Sequence, residues 1–267
     1  RWIVMSKKDE RLNKIINIIK NKNGSSVKEL AQKISVSEMT IRRDLKILED
    51  RDIIESYHGA VVYNQSIDNP TILGNDSFYD LDQNLKLNNK EKHIIGKTAA
   101  KLIKDDDIII IDTGTTTDGL SRNIADDLKC TCLVFSSNNF LNLMYKDNID
   151  LILAGGVFHR NTGMFESSES LGIIESTRAN KVFLSAAGVH KDLGITCANT
   201  YELSTKKTII KNSMEVILLV DSSKFDTVKS VHFCDLDDID VIVTDSNISK
   251  EWIDYLESKN IKLILAK

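Results

Sequence analysis

Hydrophobic positions in the first quarter of the chain recur at helical spacing in three short stretches. Each stretch carries a single apolar stripe, which predicts three amphipathic helices folded against one another. The stripes are formed by Leu12, Ile15, Ile16 and Ile19, then Val27, Leu30, Ala31 and Ile34, then Ile41, Leu45 and Leu48. Two short runs, 53–57 and 58–62, follow them and predict a β-hairpin, or wing. Three helices and a wing predict a winged helix-turn-helix domain over residues 7–62.

The third of these helices concentrates its positive charges on one face. Ser37 can cap its N-terminus, because a serine hydroxyl accepts a hydrogen bond from a first-turn N–H group, so the helix is expected to start at about Glu38. When the apolar stripe faces inward, the residues on the opposite face are Met39, Arg42, Arg43 and Lys46. Such a face suits a recognition helix in the DNA major groove. A basic stripe is equally compatible with an ordinary solvated helix face.

The rest of the chain alternates between short apolar runs and helical segments. After a predicted helix at 90–103, the apolar runs are 108–111, 131–135, 151–153, 182–184, 216–220, 241–243 and 263–265. The helical segments between and after them are 119–128, 139–145, 168–176, 202–212 and 250–258. Short apolar runs that alternate with helices indicate strands buried on both faces of a mostly parallel sheet. Residues 90–267 are therefore predicted to form an α/β domain.

The segment between the two predicted domains has no periodicity. Residues 63–89 are rich in Asn and Asp and include Pro70, which is the only proline of the chain. This composition predicts a linker, with a short helix around residues 78–85.

The segment DTGTTTD at residues 112–118 follows the first predicted strand of the body and precedes a predicted helix, and it gives the clearest indication of a ligand site. A glycine that admits close backbone approach, hydroxyl donors and the free N–H groups of a helix start together suit a phosphate ester. The segment is not a P-loop, because the Gly-Lys-Ser/Thr ending is absent. An ordinary capped strand-to-helix turn remains an alternative.

Other predicted strand ends carry compatible groups, and ligands of open α/β sheets bind at such ends. Ser137 and Asn138 follow the second run, a Gly155-Gly156 pair follows the third, and DSSK at 221–224 follows the fifth. Lys224 could donate a charge-assisted hydrogen bond to a phosphate or sugar oxygen. It could instead form a surface ion pair with Asp221 that contributes little, and the glycines could mark a tight turn alone.

The chain resembles DeoR-type transcriptional regulators along nearly its whole length from Lys7. The head carries VKELAQKISVSEMTIRRDLKILE (27–49) followed by HGAVV (58–62), similar to the family's turn and recognition helix. The body carries, in family order, Asn88 with EK at 91–92, IDTGTTT (111–117), LAGG (153–156), FLSAAGV (183–189), GIT (194–196), VDSSKF (220–225) and VTD (243–245). The resemblance implies a sensor domain with a fold shared with sugar-phosphate isomerases, and a phosphorylated sugar or related metabolite as effector.

Site residues follow from the helix pattern and from this resemblance. The expected DNA contacts are Ser37, Met39, Thr40, Arg42, Arg43 and Lys46 in the recognition helix and His58 in the wing. The effector contacts implied by the resemblance are Asp112, Gly114, Thr115, Thr116, Asn138, Gly155, Gly156 and Lys224. The string SSNN at 136–139 allows two alignments with the family's Thr-Asn pair, of which we prefer the one on Asn138.

Charge divides the chain into two parts of opposite sign. The net charge of −4 over 267 residues argues against a general nucleic-acid binder, yet residues 1–62 hold 13 Lys/Arg and 9 Asp/Glu, a net charge of +4. The remaining residues hold 22 and 30, a net charge of −8. This division predicts that DNA affinity is confined to the head.

Length and composition bear on the number of domains, on metal and cofactor binding and on membrane association. The length accommodates about two domains. The four cysteines lack the paired C-x-x-C spacing of a zinc site, so we expect reduced, mostly buried thiols and neither metal nor cofactor. No apolar run approaches the length of a membrane span and no signal pattern opens the chain, which favours a cytoplasmic protein without a membrane partner.

Two functions are compatible with these observations. The first is a DNA-binding regulator, as a rule a repressor, of a sugar-metabolism operon. It would act as a homodimer or homotetramer, because a reader of the major groove usually works as a symmetric pair, and its operator affinity would respond to the effector. The second is a sugar-phosphate isomerase with an accessory head. Asp112, Glu202 and Asp221 are its candidate bases, but none is paired with a second catalytic group at a recognisable spacing.

Overall fold

The computed structural model of the chain describes residues 7–22, 24–49, 53–57, 60–63 and 88–267. The head contains three helices, α1 (Lys7–Lys22), α2 (Val27–Ile34) and α3 (Glu38–Glu49). Its wing consists of β2 (Ile54–Tyr57) and β3 (Ala60–Tyr63), and the short strand β1 (Ser25–Ser26) pairs with β3 to give the strand order β1-β3-β2. The predicted winged helix-turn-helix fold is confirmed, and the predicted linker helix at 78–85 lies outside the described residues.

The helical stripes of the head form its core as the spacing predicted. Leu12, Ile15 and Ile19 pack with residues of the other two stripes and of the wing, which are Leu30, Ala31, Ile41, Leu45, Leu48, Ile54 and Val61. Helix α2 ends at Ser35 in the left-handed conformation, with φ 59° and ψ 47°, which turns the chain sharply toward α3. The core positions of the three stripes therefore fix how α3 is presented.

A seven-stranded parallel sheet forms the centre of the body. Its strands are β4 (Ile108–Ile111), β5 (Cys130–Val134), β6 (Ile149–Leu153), β9 (Ala179–Ser185), β12 (Ser213–Leu219), β14 (Val241–Asp245) and β15 (Lys262–Ala266). The strand order is β15-β14-β12-β9-β4-β5-β6, and every neighbouring pair is parallel. Separate hydrophobic clusters contain Ile110 on one side and Ile109 and Ile111 on the other, as expected for strands buried on both faces. All seven predicted strands are confirmed.

Helices and two smaller sheets complete the body. The helices are α4 (Asn89–Ala100), α5 (Thr115–Asn123), α6 (Ser137–Leu143), α7 (Ser168–Ser176), α8 (Glu202–Lys211) and α9 (Lys250–Ser258). Strands β7 (Val157–His159) and β8 (Met164–Glu166) form a hairpin, and β10 (Gly188–His190), β11 (Gly194–Cys197) and β13 (Val231–Cys234) form an antiparallel sheet. The apolar-run pattern did not predict these short strands, because each contains a polar, charged or glycine residue and none is a continuous apolar run.

The order of the strands creates a switch point between β4 and β9. From β4 the chain proceeds outward through β5 and β6, and then returns to place β9 on the other side of β4. Loops that leave two such neighbouring strands diverge in opposite directions and open a crevice at their carboxyl ends. The DTGTTTD segment follows β4 directly, so the topology positions it at this crevice.

One predicted helix boundary is wrong in a way that matters for the site. The pattern predicted a helix at 119–128, whereas α5 already begins at Thr115. Threonine has low helix propensity. The tertiary contact overrides this preference, because α5 packs against α4 so closely that a Cβ on Gly96 would lie 2.2 Å from the carbonyl carbon of Gly119. The threonines therefore form the first turn of the helix.

Candidate functional site

Helix α3 presents the predicted recognition face to solvent. Ser37 caps it, since the Thr40 N–H group donates to Ser37 Oγ at 3.2 Å and the two hydroxyls lie 2.9 Å apart. Met39, Arg42, Arg43 and Lys46 are all exposed. Arg42 approaches Glu38 at 4.0 Å, with both side chains more than half exposed. The predicted wing contact, His58, lies outside the described residues.

The inner face of α3 carries an ion pair that the sequence did not reveal. Asp44 is buried, and Arg11 of α1 donates to both of its carboxylate oxygens, at 2.5 and 3.0 Å. The hydrogen bond to Asp44 raises the pKa of Arg11. A bidentate pair holds orientation as well as charge, so it fixes the rotation of α3 and the direction in which Arg43 points.

The threonine loop (residues 113–117) has unsatisfied donors at the crevice. The first backbone bond of α5 runs from the Asp118 N–H group to Gly114 O, at 3.1 Å, which leaves the N–H groups of Thr115, Thr116 and Thr117 without an intrahelical acceptor. The side chains of Thr115 and Thr116 are more than nine-tenths buried, and neither hydroxyl has a hydrogen-bond partner within the described ranges. These donors suit a bound anion.

Gly114 allows this loop to approach the neighbouring strand. Its φ of +147° is unfavourable for other residues, and a Cβ there would lie 2.8 Å from Ser185 Oγ at the end of β9. Across the crevice, Thr113 Oγ1 donates to Thr162 O at 3.0 Å and the Ser137 N–H group donates to Gly163 O at 2.8 Å. The β7–β8 hairpin thus closes one side of the crevice.

Asp112 lies beneath the threonine loop in a buried ionic cluster. Its Oδ2 accepts from Lys206 Nζ at 2.5 Å and from the N–H and Oγ of Ser185 at 2.9 and 3.1 Å. Glu202 Oε2 lies 3.7 Å from the same ammonium group. Burial lowers the pKa of Lys206, but Asp112 and Glu202 outweigh this effect and raise it, so the lysine stays charged. Asp112 therefore supports the crevice floor and has little capacity left for a ligand.

Lysines bring positive charge to the end of β12. Lys224 ends the turn after this strand, and Lys229 follows in the next loop. Both side chains are half-buried, and neither ammonium group has an ion-pair partner among the residues that the structure describes. Burial and, secondarily, Lys224 lower the pKa of Lys229. These two lysines carry positive charge near the carboxyl end of β12, and positive charge there would favour anion binding.

Lys92 lies near Lys224 and Asp221, although the sequence indicated it only as part of a family motif. It lies one turn after Asn88, whose side-chain amide donates to Asp221 Oδ1 at 3.1 Å, and a Cβ on Gly119 would lie 2.8 Å from Lys92 O. Lys92 is therefore held between α5 and the end of β12. Burial, opposed by Asp221 and reinforced by Lys224, lowers its pKa to about 8. The position of Lys92 on α4 does not by itself indicate the site, because its place there depends on how α4 packs against α5.

The remaining predicted effector residues differ in their surroundings. The Asn138 amide group donates weakly to Gly114 O and Asp118 Oδ1, at 3.5 and 3.3 Å, and its Oδ1 is buried without a partner. Asn139, the alternative, is fully engaged inside the domain with Asp112 O and Ser121. Gly156 has a φ of +149°, and a Cβ there would lie 2.3 Å from Glu166 O, whereas a Cβ on Gly155 would meet nothing within 4 Å.

All four cysteines are buried free thiols, with the Sγ atoms of Cys130 and Cys132 3.6 Å apart. Within the described part of the chain, no group of three or more His, Cys, Asp or Glu side chains could hold a metal ion. No described helix is both long and apolar enough to span a bilayer.

Comparisons with known proteins agree with this architecture. Residues 11–67 match the DeoR-like helix-turn-helix domain and residues 87–246 match the DeoR C-terminal sensor domain. The HTH-type transcriptional regulator GolR of Listeria innocua is 30% identical over 97% of this chain and 98% of its own. The deoxyribose operon repressor of Escherichia coli is 30% identical over 97% of this chain and 99% of its own length. A ribose 5-phosphate isomerase A structure from Methanocaldococcus jannaschii is 20% identical, with a TM-score of 0.39 over 52% of this chain and 55% of that one.

The head and the body thus each match a domain of one family, and two relatives are similar to this chain over nearly their whole length. Helix α3 and the wing lie within the first match, and six of the seven strands of the parallel sheet lie within the second. The chain belongs to the DeoR family of helix-turn-helix transcriptional regulators.

Proposed function

We propose that this chain is a transcriptional repressor of a sugar-metabolism operon. It binds operator DNA through α3, and a phosphorylated sugar bound at the crevice changes its operator affinity. Names of relatives support the assignment, since they include a deoxyribose operon repressor and a glycerol-3-phosphate regulon repressor. The proposed DNA contacts remain the exposed face of α3 together with Ser37, Thr40 and His58.

The observation that carries the proposal is the set of anion-binding groups at the switch point. The threonine loop offers free N–H groups and the hydroxyls of Thr115 and Thr116, while Lys224 and Lys92 supply charge from the adjacent strand end and helix. Backbone donors at a helix start and nearby ammonium groups are what a phosphate dianion requires. Asn138, with an unpaired amide oxygen, offers an acceptor for a sugar hydroxyl.

The repressor is proposed to act as a homodimer or a homotetramer. A single recognition helix contacts too few base pairs for high specificity, and helix-turn-helix proteins overcome this by reading two half-sites with two symmetric heads. Analytical ultracentrifugation of the full chain, alone and with operator DNA, measures the assembly state. A monomer in both conditions would contradict this part of the proposal.

The decisive experiment measures DNA binding with and without effector. An operator is selected from random duplexes with the full-length chain, and its dissociation constant is then measured in the presence of a panel of pentose, hexose and triose phosphates. At least one phosphorylated sugar is expected to change the dissociation constant about 5- to 150-fold, the usual range of allosteric coupling. Failure to bind any duplex at low salt would contradict the proposal.

Lys224→Ala is expected to weaken binding of the phosphorylated sugar about 10- to 100-fold, because it removes a charge-assisted hydrogen bond. Operator affinity without effector should not change, since Lys224 lies in the body. Isothermal titration calorimetry measures the first quantity and fluorescence anisotropy the second. Lys250→Ala is the matched control, because Lys250 is exposed on α9. Equal loss of both activities in Lys224→Ala would contradict the separation of head and sensor.

Effector affinity is expected to fall about tenfold between pH 7 and pH 9. The pKa of Lys92 is lowered to about 8, so this ammonium group is largely charged at pH 7 and largely neutral at pH 9. A phosphate ester, with a second pKa of about 6, remains a dianion throughout this range. Lys92→Gln should bind weakly at both pH values and show no such decline. A wild-type affinity that stays constant over the range would exclude a direct role for Lys92.

The isomerase alternative has less support from the geometry. Asp112 and Glu202 are both engaged by Lys206, and burial raises the pKa of Glu202. Asp221 Oδ1 is occupied by Asn88 and Ser223. Lys206 stays charged between the first two carboxylates, and Asp221 has no His, Lys, Asp, Glu, Tyr or Cys side chain among its described hydrogen-bond partners. We expect no turnover of pentose or hexose phosphates; turnover that Asp221→Asn abolished would reverse this assignment.

A further inference from the structure

Two backbone segments begin at the crevice and end at the head. The first runs from Ser185, which bonds to Asp112, through residues 186–189 to His190. The second runs from Lys224 to Val228. Both are short, so five or six residues are enough to connect the proposed effector site with the DNA-binding domain. We refer to residues 185–190 and 224–228 as the coupling segments.

The coupling segments pack closely against each other. A Cβ on Gly188 would lie 2.4 Å from Thr227 O, and Val189 forms a bridge with Phe225. Val189 and Phe225 are both buried in the main core of the body. Because protein interiors are close-packed, a shift of one segment must displace the other.

At its far end the first coupling segment contacts α2, the first helix of the helix-turn-helix pair. His190 is buried, its Nδ1 accepts the Asp192 N–H group at 3.2 Å, and its Nε2 lies 3.1 Å from Glu29 Oε2. An acceptor at Nδ1 leaves the proton on Nε2, so His190 donates to Glu29. Glu29 belongs to the first turn of α2 and also accepts from Ser25 Oγ at 2.9 Å.

The second segment makes an apolar contact beside this hydrogen bond. Val228 is buried, and a Cβ on Gly24 would lie 3.0 Å from Val228 Cβ. A groove of about 320 Å³ adjoins the contact and is lined by Glu38 and Arg42 of α3 and by Asp192 of the body. The body therefore reaches the same helix pair that presents the recognition face.

We infer that the coupling segments transmit effector binding from the crevice to the head. The route runs through the His190–Glu29 contact on α2 and the Val228–Gly24 contact beside it. Regulation then passes through a direct contact between body and head and not through the 63–89 linker alone. The identity of the ligand rests on the proposed function. A ligand on Lys224 and the threonine loop contacts the starting points of both segments, and a displacement there moves both contacts on the head. Linkage then requires that operator binding alters the crevice in return.

Hydrogen exchange of the full-length chain tests the route with inorganic phosphate as the probe. Phosphate is expected to slow exchange at residues 113–118 and also to change exchange at residues 24–31 of the head. In His190→Leu and in Glu29→Leu, each of which removes the hydrogen bond between the two side chains, the first effect should persist and the second should disappear. Protection at 113–118 with no change at 24–31 in the wild type would overturn the inference while leaving the proposed function intact.

A second hydrogen-exchange experiment tests the same route without a ligand. Gly188→Ala forces the coupling segments apart at their closest approach, and we expect exchange at residues 24–31 to become at least about fivefold faster, as for a typical coupling free energy. Gly172→Ala on α7, where a Cβ meets nothing within 4 Å, is the control and should change nothing in the head. Exchange within β4 and β5 reports whether the body remains folded. Unchanged exchange at 24–31 in a folded Gly188→Ala protein would overturn the inference, even if phosphate did not bind and the proposed function failed.

Discussion

Replacing Lys206 with methionine is expected to destabilise the folded body by about 3–5 kcal/mol, the usual effect of removing one partner of a buried ion pair. The side chain of Lys206 is 1% exposed and that of Asp112 is not exposed. Methionine retains most of the apolar volume but leaves Asp112 and Glu202 without their shared cation. The free energy of unfolding is measured by urea denaturation, followed by the fluorescence of the buried Trp252 in a Trp2→Phe background.

Lys259→Met is the matched control for this experiment. Lys259 also donates to an aspartate, Asp237 at 2.9 Å, but both side chains are more than one-third exposed. Exposed ion pairs contribute about 0–1 kcal/mol, so this variant should unfold almost as the wild type does. A Lys206→Met protein as stable as Lys259→Met would show that Asp112 is not held as a buried charge.

Arg43→Ala is expected to weaken operator binding about 10- to 100-fold for each half-site, since a guanidinium that binds a guanine edge contributes about 1–3 kcal/mol of discrimination. A dimer loses this contact twice, so the measured effect can approach the square of the single-site value. The variant should also relax sequence preference at one position of each half-site. Fluorescence anisotropy with the selected operator and single-base variants measures both effects, while binding of the sugar phosphate should remain unchanged.

Two further variants separate base reading from charge. If Lys46 contacts a phosphate, Lys46→Ala should reduce the slope of the logarithm of the binding constant against the logarithm of salt concentration by about one unit. It should also weaken binding to all DNA sequences alike. Lys14→Ala, on an exposed position of α1, should change neither quantity. If Arg43→Ala behaved like Lys14→Ala, the exposed face of α3 would not be the recognition surface.

Much of the fold was predictable because it depends on local periodicity. The stripe residues Leu12, Ile15 and Ile19 are buried as their spacing indicated, and every apolar run of the body became a strand of the parallel sheet. Apolar spacing reports which side of an element faces the core whatever its neighbours are. The order of the strands, and with it the switch point beside the threonine loop, followed only from the folded chain.

The candidate site was predictable where its groups belong to one continuous segment, or where a strand end and a family motif indicated a residue such as Lys224. Gly114, Thr115 and Thr116 are adjacent in sequence, and the helix start that exposes their donors is a local structure. Lys92 and Lys224 come to the same crevice from distant segments, so their proximity depends on how α4 crosses α5 and on which strand lies beside β9. Asp112 was predicted as a ligand because its position resembles the family motif, yet its carboxylate is occupied by Lys206 and Ser185.

The burial of a charged residue could not be predicted from the sequence, as pairs of adjacent charged residues show. Lys206 and Lys207 are adjacent and chemically identical, but the first lies in the ionic cluster and the second is exposed. In α3, Arg43 faces solvent and Asp44 is buried against Arg11. The pattern of hydrophobic residues cannot distinguish such charges, because a buried charge requires a partner that is remote in sequence.

By itself the sequence determined the amphipathic helices of the head, the exposed basic face of α3, the seven strands of the body and the donor-rich turn after β4. These features rest on side-chain periodicity and backbone chemistry within a few residues. Tertiary structure alone decided the strand order, the ionic cluster beneath the loop, the proximity of Lys92 to Lys224 and the contact of His190 with Glu29. Each of these depends on interactions between residues far apart in the chain, whose geometry exists only once the layers of the fold have packed together.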